Sequence, residues 1–205
     1  MKNYTIKKIN GPITDELWDM AEVALVDYMP DKEKYPCPYR MEARLLYDDE
    51  NIYVNLKTDE RPLTATKTMR NEEVCGDSCM EFFLAPDQEE DYYLNFEINP
   101  LGTLLLYRCK YRLDPSEELK YTIPDDDEKI FAIKSVITRK EWQLTYQIPF
   151  SFLRKYFDQI TPTMRGNFYK CGDESVLTHY ASWNPIPIVD YHLPKHFGIL
   201  TFAAE

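Results

Sequence analysis

Residues 92–99 form a stretch in which apolar and polar side chains alternate without a break. Successive side chains of a β-strand point to opposite faces of a sheet, so this alternation predicts a strand with two unlike faces. The apolar face carries Tyr92, Leu94, Phe96 and Ile98. The polar face carries Tyr93, Asn95, Glu97 and Asn99. Two amides, a carboxylate and a phenol hydrogen-bond readily to hydroxyl groups, so the second face is typical of a surface that binds sugars.

The overall charge limits the classes of partner. The chain has 205 residues and a formal net charge of -11. Nucleic-acid binders need a positive surface that displaces counterions from phosphates, and anionic membranes repel an acidic chain for a related reason. The sequence therefore predicts no nucleic-acid and no membrane partner, and we interpret the acidity as a contribution to solubility.

The N-terminal residues and the hydropathy pattern bear on localisation. No apolar run approaches the ~20 residues that a membrane-spanning helix needs. Residues 1–8 also lack the apolar core of a secretory signal. We therefore expect a cytoplasmic protein if Met1 is native, and a periplasmic or secreted one if a signal has been removed.

The cysteines do not suggest a disulfide framework, because their number is odd and their spacing is irregular. Only Cys75 and Cys79 are close in sequence, and no further pair of zinc ligands stands at a familiar spacing. Buried free thiols are the preferred interpretation, since cysteine packs as a small apolar residue. The five cysteines are Cys37, Cys75, Cys79, Cys109 and Cys171.

Short strands separated by turns predict the fold class. Residues 44–47 and 51–57 flank an acidic turn and predict one hairpin, and residues 131–138 and 142–148 predict another. The acidic residues 114–129 contain two prolines and predict a loop. We expect an all-β protein, an antiparallel, jelly-roll-like β-sandwich with one or two short helices, forming a single domain over the whole chain.

Two further strands flank the polar face of residues 92–99. Residues 78–85 place Glu81 on the face opposite Met80 and Phe82. A turn follows Asn99, and pairing across it puts Leu105 beside Glu97 and Tyr107 beside Asn95. Strict alternation puts Arg108 on the opposite face, so its place among the candidate site residues assumes a bulge.

In their order, these segments resemble the family 9 carbohydrate-binding modules and their stand-alone relatives. The likeness extends over nearly the whole chain, although no single motif is highly specific. It rests on Trp18, Ala43-Arg44-Leu45-Leu46-Tyr47-Asp48, Asn51-Ile52-Tyr53-Val54, Asp77-Ser78-Cys79-Met80-Glu81-Phe82-Phe83-Leu84, Tyr93-Leu94-Asn95-Phe96-Glu97-Ile98-Asn99 with Gly102, Trp142 through Ile148-Pro149-Phe150, Met164-Arg165-Gly166-Asn167-Phe168-Tyr169-Lys170, His179-Tyr180-Ala181-Ser182-Trp183 and Phe197-Gly198.

The resemblance implies a β-sandwich that binds mono- or oligosaccharides without catalysis. It implies that Glu81 contacts the sugar, that polar residues of the next strand do so too, and that Trp183 stacks on the ring. The founding modules clamp the ring with a second Trp, which would fall near residues 74–75, where this chain has none. Structural calcium in loops is also implied, without an assignable ligand set. The candidate site is Glu81, Asn95, Glu97, Asn99, Tyr107, Arg108 and Trp183, with no catalytic residue.

The sequence is compatible with two alternatives to simple sugar binding. Glu81 and Glu97 on adjacent strands could form the carboxylate pair of a glycosidase, for which a separation of ~5.5 Å would indicate a retaining mechanism. His192 and His196 could contribute to a haem or metal site, but Pro194 between them disfavours the helix that would align them. Hydrogen bonding to sugar uses the same carboxylates, so binding remains the preferred hypothesis.

Overall fold

The computed structural model describes residues 1–110 and 120–204, and it is built almost entirely of strands. One α-helix follows directly after a strand, and short 3-10 turns connect other elements. No helix among the described residues is long and apolar enough to cross a membrane. The strands are β1 (Asn3–Lys8), β2 (Ala24–Leu25), β3 (Met41–Tyr47), β4 (Asn51–Thr58), β5 (Cys79–Ala85), β6 (Tyr92–Ile98), β7 (Leu104–Lys110), β8 (Lys120–Thr122), β9 (Lys134–Ile137), β10 (Trp142–Pro149), β11 (Thr163–Cys171), β12 (Tyr180–Ser182) and β13 (Gly198–Phe202), and the helix is α1 (Phe150–Tyr156).

The strands form two layers that share β1. The first sheet has the order β8-β7-β6-β5-β11-β13-β1, with β12 paired to the end of β11. The second sheet has the order β1-β3-β4-β10-β9, with β2 paired to β3. Strand β1 runs parallel to both β13 and β3, while every other pairing is antiparallel. The expected all-β sandwich is therefore confirmed, with a mixed sheet that curls into a half-barrel at β1.

Apolar side chains from both sheets fill the space between the layers. Phe82 and Phe168 stack within the first sheet with ring centroids 4.7 Å apart. Phe96 reaches across to Tyr146 of the second sheet, at 5.7 Å between centroids. Such burial is the main favourable contribution to folding. The apolar face predicted for β6 is thus confirmed, because Leu94, Phe96 and Ile98 all belong to this core.

The predicted hairpins are confirmed, as is the register between β6 and β7. Glu97 lies opposite Leu105 and Asn95 opposite Tyr107. A 3-10 turn, Asp15–Met20, follows β1, with Thr14 at its N-cap position. Residues 114–119 of the expected acidic loop lie outside the described residues. The remainder of that loop holds the short strand β8 and a 3-10 turn, Asp125–Phe131.

The first sheet is buried on both faces, and this determines where a site can form. Its inner face packs on the second sheet, as described above. Its outer face carries Phe83 of β5, Tyr93 of β6 and Tyr169 of β11, which pack under Ile186 and Phe197 of the long connection after β11. The polar stripe predicted from the sequence therefore lies beneath a covering segment instead of facing open solvent.

A charged residue of β11 is buried within the sandwich, next to β5. Lys170 of β11 is fully buried, and its Nζ lies 2.7 Å from Glu60 Oε2. The same ammonium donates to the carbonyl oxygens of Cys79 and Cys171 at 3.1 and 2.8 Å, and to His179 Nε2 at 3.0 Å. Ser78 Oγ donates to the other carboxylate oxygen of Glu60 at 2.7 Å. A buried charge needs such partners, because desolvation without them is costly.

Replacing Lys170 with Met should destabilise the protein by about 3–5 kcal/mol, since Glu60 would be left as an uncompensated buried charge. The double variant Lys170→Met/Glu60→Leu should recover much of that loss, because it removes both charges. Chemical denaturation of the two variants and the parent measures the difference. A single variant as stable as the double variant would contradict the ion pair described here.

His179 should make stability depend on pH. Burial, followed by the charge of Lys170, lowers its pKa from the usual 6.5 to about 4. Because the pKa of His179 is lower in the folded state than in the unfolded state, protonation favours the unfolded state. The free energy of unfolding is therefore highest above about pH 6.5 and falls by roughly 3 kcal/mol at most as the pH decreases toward about 4. Unfolding free energies of the parent and of His179→Gln, measured across that window, should converge at low pH. Parallel curves would show that His179 does not titrate as stated.

Candidate functional site

A cavity of about 300 Å³ lies on the outer face of the first sheet, between the sheet and the covering connection. Strands β5, β6, β7 and β11 supply its floor, and residues before β5 and after β11 supply its walls. It is lined by Glu73, Cys75, Glu81, Phe83, Glu97, Leu105, Lys120, Cys171, Asp173, Tyr180, Val189, Asp190, Tyr191 and His192.

Two glutamates form the centre of the floor. Glu81 and Glu97 are directly paired across β5 and β6 and point to the same face. Both are buried, with 2% and 6% of their surface exposed. Asn95 Nδ2 donates to Glu97 Oε1 at 2.7 Å, and Asn95 Oδ1 accepts from the Tyr107 backbone N–H at 2.7 Å. Asn95 is itself fully buried, so it orients Glu97 and lies beneath the cavity surface.

The environment of these carboxyl groups favours their neutral forms. Burial raises the pKa of Glu97 to about 7, although the hydrogen bond from Asn95 opposes the shift. Burial and then the neighbouring Glu97 raise the pKa of Glu81 well above its usual range. Near neutral pH the pair can therefore both donate and accept hydrogen bonds, which suits hydroxyl groups, because a hydroxyl does both.

Sulfur atoms lie next to the carboxyl pair. Cys171 Sγ donates to Glu81 Oε1 at 2.8 Å, and Cys79 lies directly opposite Cys171 across β5 and β11. Glu81 Oε2 has no hydrogen-bond partner among the residues that the structure describes. All five cysteines are free, as the sequence predicts, and four are buried while Cys75 is half-buried. The structure brings Cys79 to Cys171, a pairing that sequence spacing does not indicate.

Aromatic rings form much of the wall. Tyr191 stacks on Tyr169, with centroids 4.0 Å apart and planes at 10°, and Tyr180 meets Tyr191 edge to face at 6.1 Å. The Tyr191 hydroxyl donates to the carbonyl of Lys170 at 2.8 Å, which fixes the ring against β11. His192 Nδ1 lies 2.7 Å from the Tyr93 hydroxyl. Exposed edges and faces of such rings can pack on the C–H groups of a sugar.

Trp183 is not part of this wall, which corrects the expectation that it stacks on a ligand. Its side chain is 4% exposed and belongs to the core between the sheets. Its ring contacts Tyr4 and Phe168 at centroid distances of 6.4 and 5.7 Å. Gly198 makes room for it, because a Cβ there would lie 2.3 Å from Trp183 Cζ3.

Asn99 also has a different place from the one expected. It is fully buried, and its Nδ2 donates to the carbonyl of Lys67 and to Asp77 Oδ2 at 2.7 and 2.8 Å. Its Oδ1 accepts from the backbone N–H groups of Leu101 and Thr103, both at 3.0 Å. All its hydrogen-bonding capacity is used to close the turn after β6, so it is not available to a ligand.

The bulge assumed for Arg108 is absent, and Arg108 pairs with Leu94 in regular register. Its guanidinium lies 3.6 Å from the ring centroid of Tyr92 and 3.0 Å from Glu90, away from the cavity.

Tyr107 does lie beside the cavity, because Lys120 Nζ lies 5.7 Å from its ring centroid and Lys120 is a lining residue. Sequence reasoning missed Tyr180, Tyr191 and Lys120, which all line the cavity.

Calcium receives no ligand set. In the described part of the chain, one group of three metal-ligating side chains converges, namely Cys79, Glu81 and Cys171. Calcium prefers oxygen ligands, so this cluster does not suit it, and the expectation from the family stays a prediction. His192 and His196 do not join a metal-ligating group among those residues.

Comparison with known proteins identifies relatives of both sequence and fold. A family model described as carbohydrate-binding family 9 matches residues 14–202. A candidate carbohydrate-binding protein from Bacteroides uniformis ATCC 8492 is 27% identical, with a TM-score of 0.82 over 98% of this chain and 99% of that one. No curated protein matches the chain.

Two solved structures of a family 9 carbohydrate-binding module from Caldicellulosiruptor kristjanssonii share the fold. One contains cellotriose and is 12% identical, with a TM-score of 0.68 over 100% of this chain and 95% of that one. The other contains glucose and is 14% identical, with a TM-score of 0.65 over 100% of this chain and 97% of that one. At these identities the likeness concerns architecture, and it agrees with the two-layer arrangement described above.

Replacing Trp183 with Ala should lower the free energy of unfolding by about 3–5 kcal/mol, as expected for a large aromatic removed from a core. Trp183→Phe should lose less, because it retains an aromatic ring between Tyr4 and Phe168. Thermal or urea unfolding of both variants tests this. A Trp183→Ala protein of unchanged stability that no longer bound sugar would instead support a stacking role.

Proposed function

The chain belongs to carbohydrate-binding family 9, and from that premise we propose that its cavity binds one sugar ring without catalysing a reaction on it. The observation that carries the assignment is the buried Glu81–Glu97 pair at the floor of the cavity. Adjacent carboxyl groups on a rigid sheet can engage neighbouring hydroxyls of one ring, and rigid placement gives the specificity that flexible surface residues lack.

The size of the cavity supports a single ring as the ligand. A volume of about 300 Å³ lies at the lower end of the ~300–1,000 Å³ found for small-molecule sites. The Caldicellulosiruptor modules are bound to glucose and cellotriose. We therefore propose a pyranose of the size of glucose, alone or as the terminal unit of an oligosaccharide.

Aromatic contact would come from tyrosine in this protein. The second Trp of the founding modules is absent near residues 74–75, and Trp183 is in the core. Tyr180 and Tyr191 both line the cavity. The hydrogen bond from the Tyr191 hydroxyl to the backbone and the Tyr169 stack hold that ring in place, so little side-chain entropy is lost when a ligand packs beside it.

The charge of the lining residues indicates which sugars are excluded. Glu73, Asp173 and Asp190 line the cavity around the central pair, while Lys120 is the one lysine or arginine in the lining that the structure describes. A uronic acid would bring another carboxylate into this negative surrounding, which is unfavourable. Neutral sugars should therefore bind in preference to acidic ones of the same ring shape.

Replacing Glu97 with Gln should weaken sugar binding about tenfold at a pH above about 7, where Glu97 is largely ionised, since a hydrogen bond to a charged group contributes ~1.5–3 kcal/mol. The change preserves size and keeps an acceptor for Asn95. Calorimetric titration with neutral mono- and oligosaccharides, beside glucuronic acid, measures the loss and the selectivity.

Glu141→Gln provides the matched control, because Glu141 forms a surface ion pair with Lys57, on the second sheet. It should bind sugar as the parent does. Failure of the parent to bind any sugar in a broad panel would contradict the proposal. Turnover of aryl glycosides, lost in Glu97→Gln, would replace it with the glycosidase hypothesis.

A further inference from the structure

Three ligating side chains converge at one end of the cavity floor, and sugar binding does not account for the two cysteines among them. Cys79 Sγ, Cys171 Sγ and a carboxylate oxygen of Glu81 all lie within 4.8 Å of one another. Cys79 and Glu81 are two residues apart on β5 and so share a face, while Cys171 is the direct partner of Cys79 on β11. Central strands of the sheet thus supply all three groups, which favours a preorganised arrangement.

We propose that Cys79, Cys171 and Glu81 form a binding site for a borderline-soft divalent metal ion, Zn²⁺ being the ion that fits best. Thiolate sulfur selects zinc over calcium and magnesium, and zinc accepts a carboxylate oxygen as a third ligand. Three protein ligands leave a fourth tetrahedral position, which is the arrangement of zinc sites that take up water or another small ligand.

An unsatisfied carboxylate oxygen is independent support for a ligand at this place. Glu81 is 2% exposed, and within the described part of the chain its Oε2 has no hydrogen-bond partner. A buried polar atom without a partner is costly and rare in native proteins. The other oxygen of Glu81 is engaged by Cys171 Sγ at 2.8 Å, so the carboxyl group is already turned toward sulfur. A metal ion would satisfy the carboxyl group and both sulfur atoms at once.

The required adjustment is small. Zinc bonds of ~2.3 Å to sulfur and ~2.1 Å to oxygen separate two tetrahedral ligands by about 3.6 Å. The Cys171 Sγ to Glu81 Oε1 distance of 2.8 Å would therefore open by about 0.8 Å on metal binding. A change of the Glu81 side-chain torsions, with the strands fixed, is sufficient for such a shift.

A positive charge near the cluster also suits a bound metal ion with two thiolate ligands. Zinc binds cysteine as the thiolate, so binding releases the thiol protons. The ammonium of Lys170, bound to the carbonyls of both cysteines, compensates part of the negative charge that two thiolates and a carboxylate create.

The open position would face the cavity. Cys171 and Glu81 both line it, and Cys79 lies on the same face of the sheet without being a lining residue. A water molecule or an oxygen of a ligand in the cavity can therefore complete the coordination. The metal site does not depend on the sugar proposal, and its test contains no sugar.

The test uses the full chain, reduced and stripped of metal with a chelator. Zinc is titrated in competition with a chromophoric chelator, and cobalt(II) is titrated separately as a spectroscopic substitute. We expect one zinc ion per chain, and a cobalt complex with sulfur-to-metal charge-transfer absorption and the intense visible bands of tetrahedral geometry. Cys79→Ser and Cys171→Ser should each weaken zinc binding at least a hundredfold and abolish the charge-transfer absorption.

Cys37→Ser is the matched control, since it removes a buried thiol that bonds to the carbonyl of Tyr39 and takes no part in the cluster. It should bind zinc as the parent does. Absence of zinc binding by the parent, a cobalt spectrum without sulfur ligation, or equal affinities in Cys171→Ser and Cys37→Ser would each overturn the proposal. If a cysteine variant fails to fold, the cobalt spectrum of the parent and the zinc affinity of Glu81→Gln, expected to fall at least tenfold, still decide it.

Discussion

The buried ammonium of Lys170 is the interaction on which the site depends. It holds the carbonyl oxygens of Cys79 and Cys171 from the inner side of the first sheet, and Glu60 neutralises it there. The side chains of those two cysteines point the opposite way, to the cavity. Because Lys170 holds the backbone of these cysteines from the inner face of the sheet, it also positions their thiol groups on the outer face. Ion pairs of this kind add little net stability, but they require a unique arrangement of the strands around them.

Strands β5, β6 and β11 contribute to both the core and the cavity, because successive side chains of a strand point to opposite faces of the sheet. In β5, β6 and β11 one set of residues builds the apolar core, and the intervening set carries carboxyl, thiol and phenol groups under the covering connection. Burying polar groups on that outer face raises the pKa values of Glu81 and Glu97. The raised pKa values of these carboxyl groups thus depend on the covering connection. On an open sheet face the same glutamates would have pKa values close to the usual ones.

Period-2 patterns predicted the strands, the faces of β5 and β6, and the Glu97–Leu105 register, since these follow from local alternation and a short turn. The sequence patterns gave wrong expectations for residues whose position depends on contacts with distant chain segments. Asn99 closes its turn because Asp77 and Lys67 meet it there, and Trp183 is buried because Gly198 and Tyr4 adjoin it. The roles of Tyr180, Tyr191 and Lys170 depend on the path of an irregular connection, for which no periodicity exists.

The shared strand β1 has a consequence for the order of folding. Asn3 pairs with Ile199 and Lys7 with Leu46, so the first strand closes the half-barrel by pairing with the last strand and with an early one. Contacts between such distant segments form slowly, because a long loop must first be closed. During synthesis, the β5–β6–β7 meander can assemble well before β13 has left the ribosome. Its polar outer face is then exposed to water, and its carboxyl groups become enclosed only when the connection after β11 packs over them.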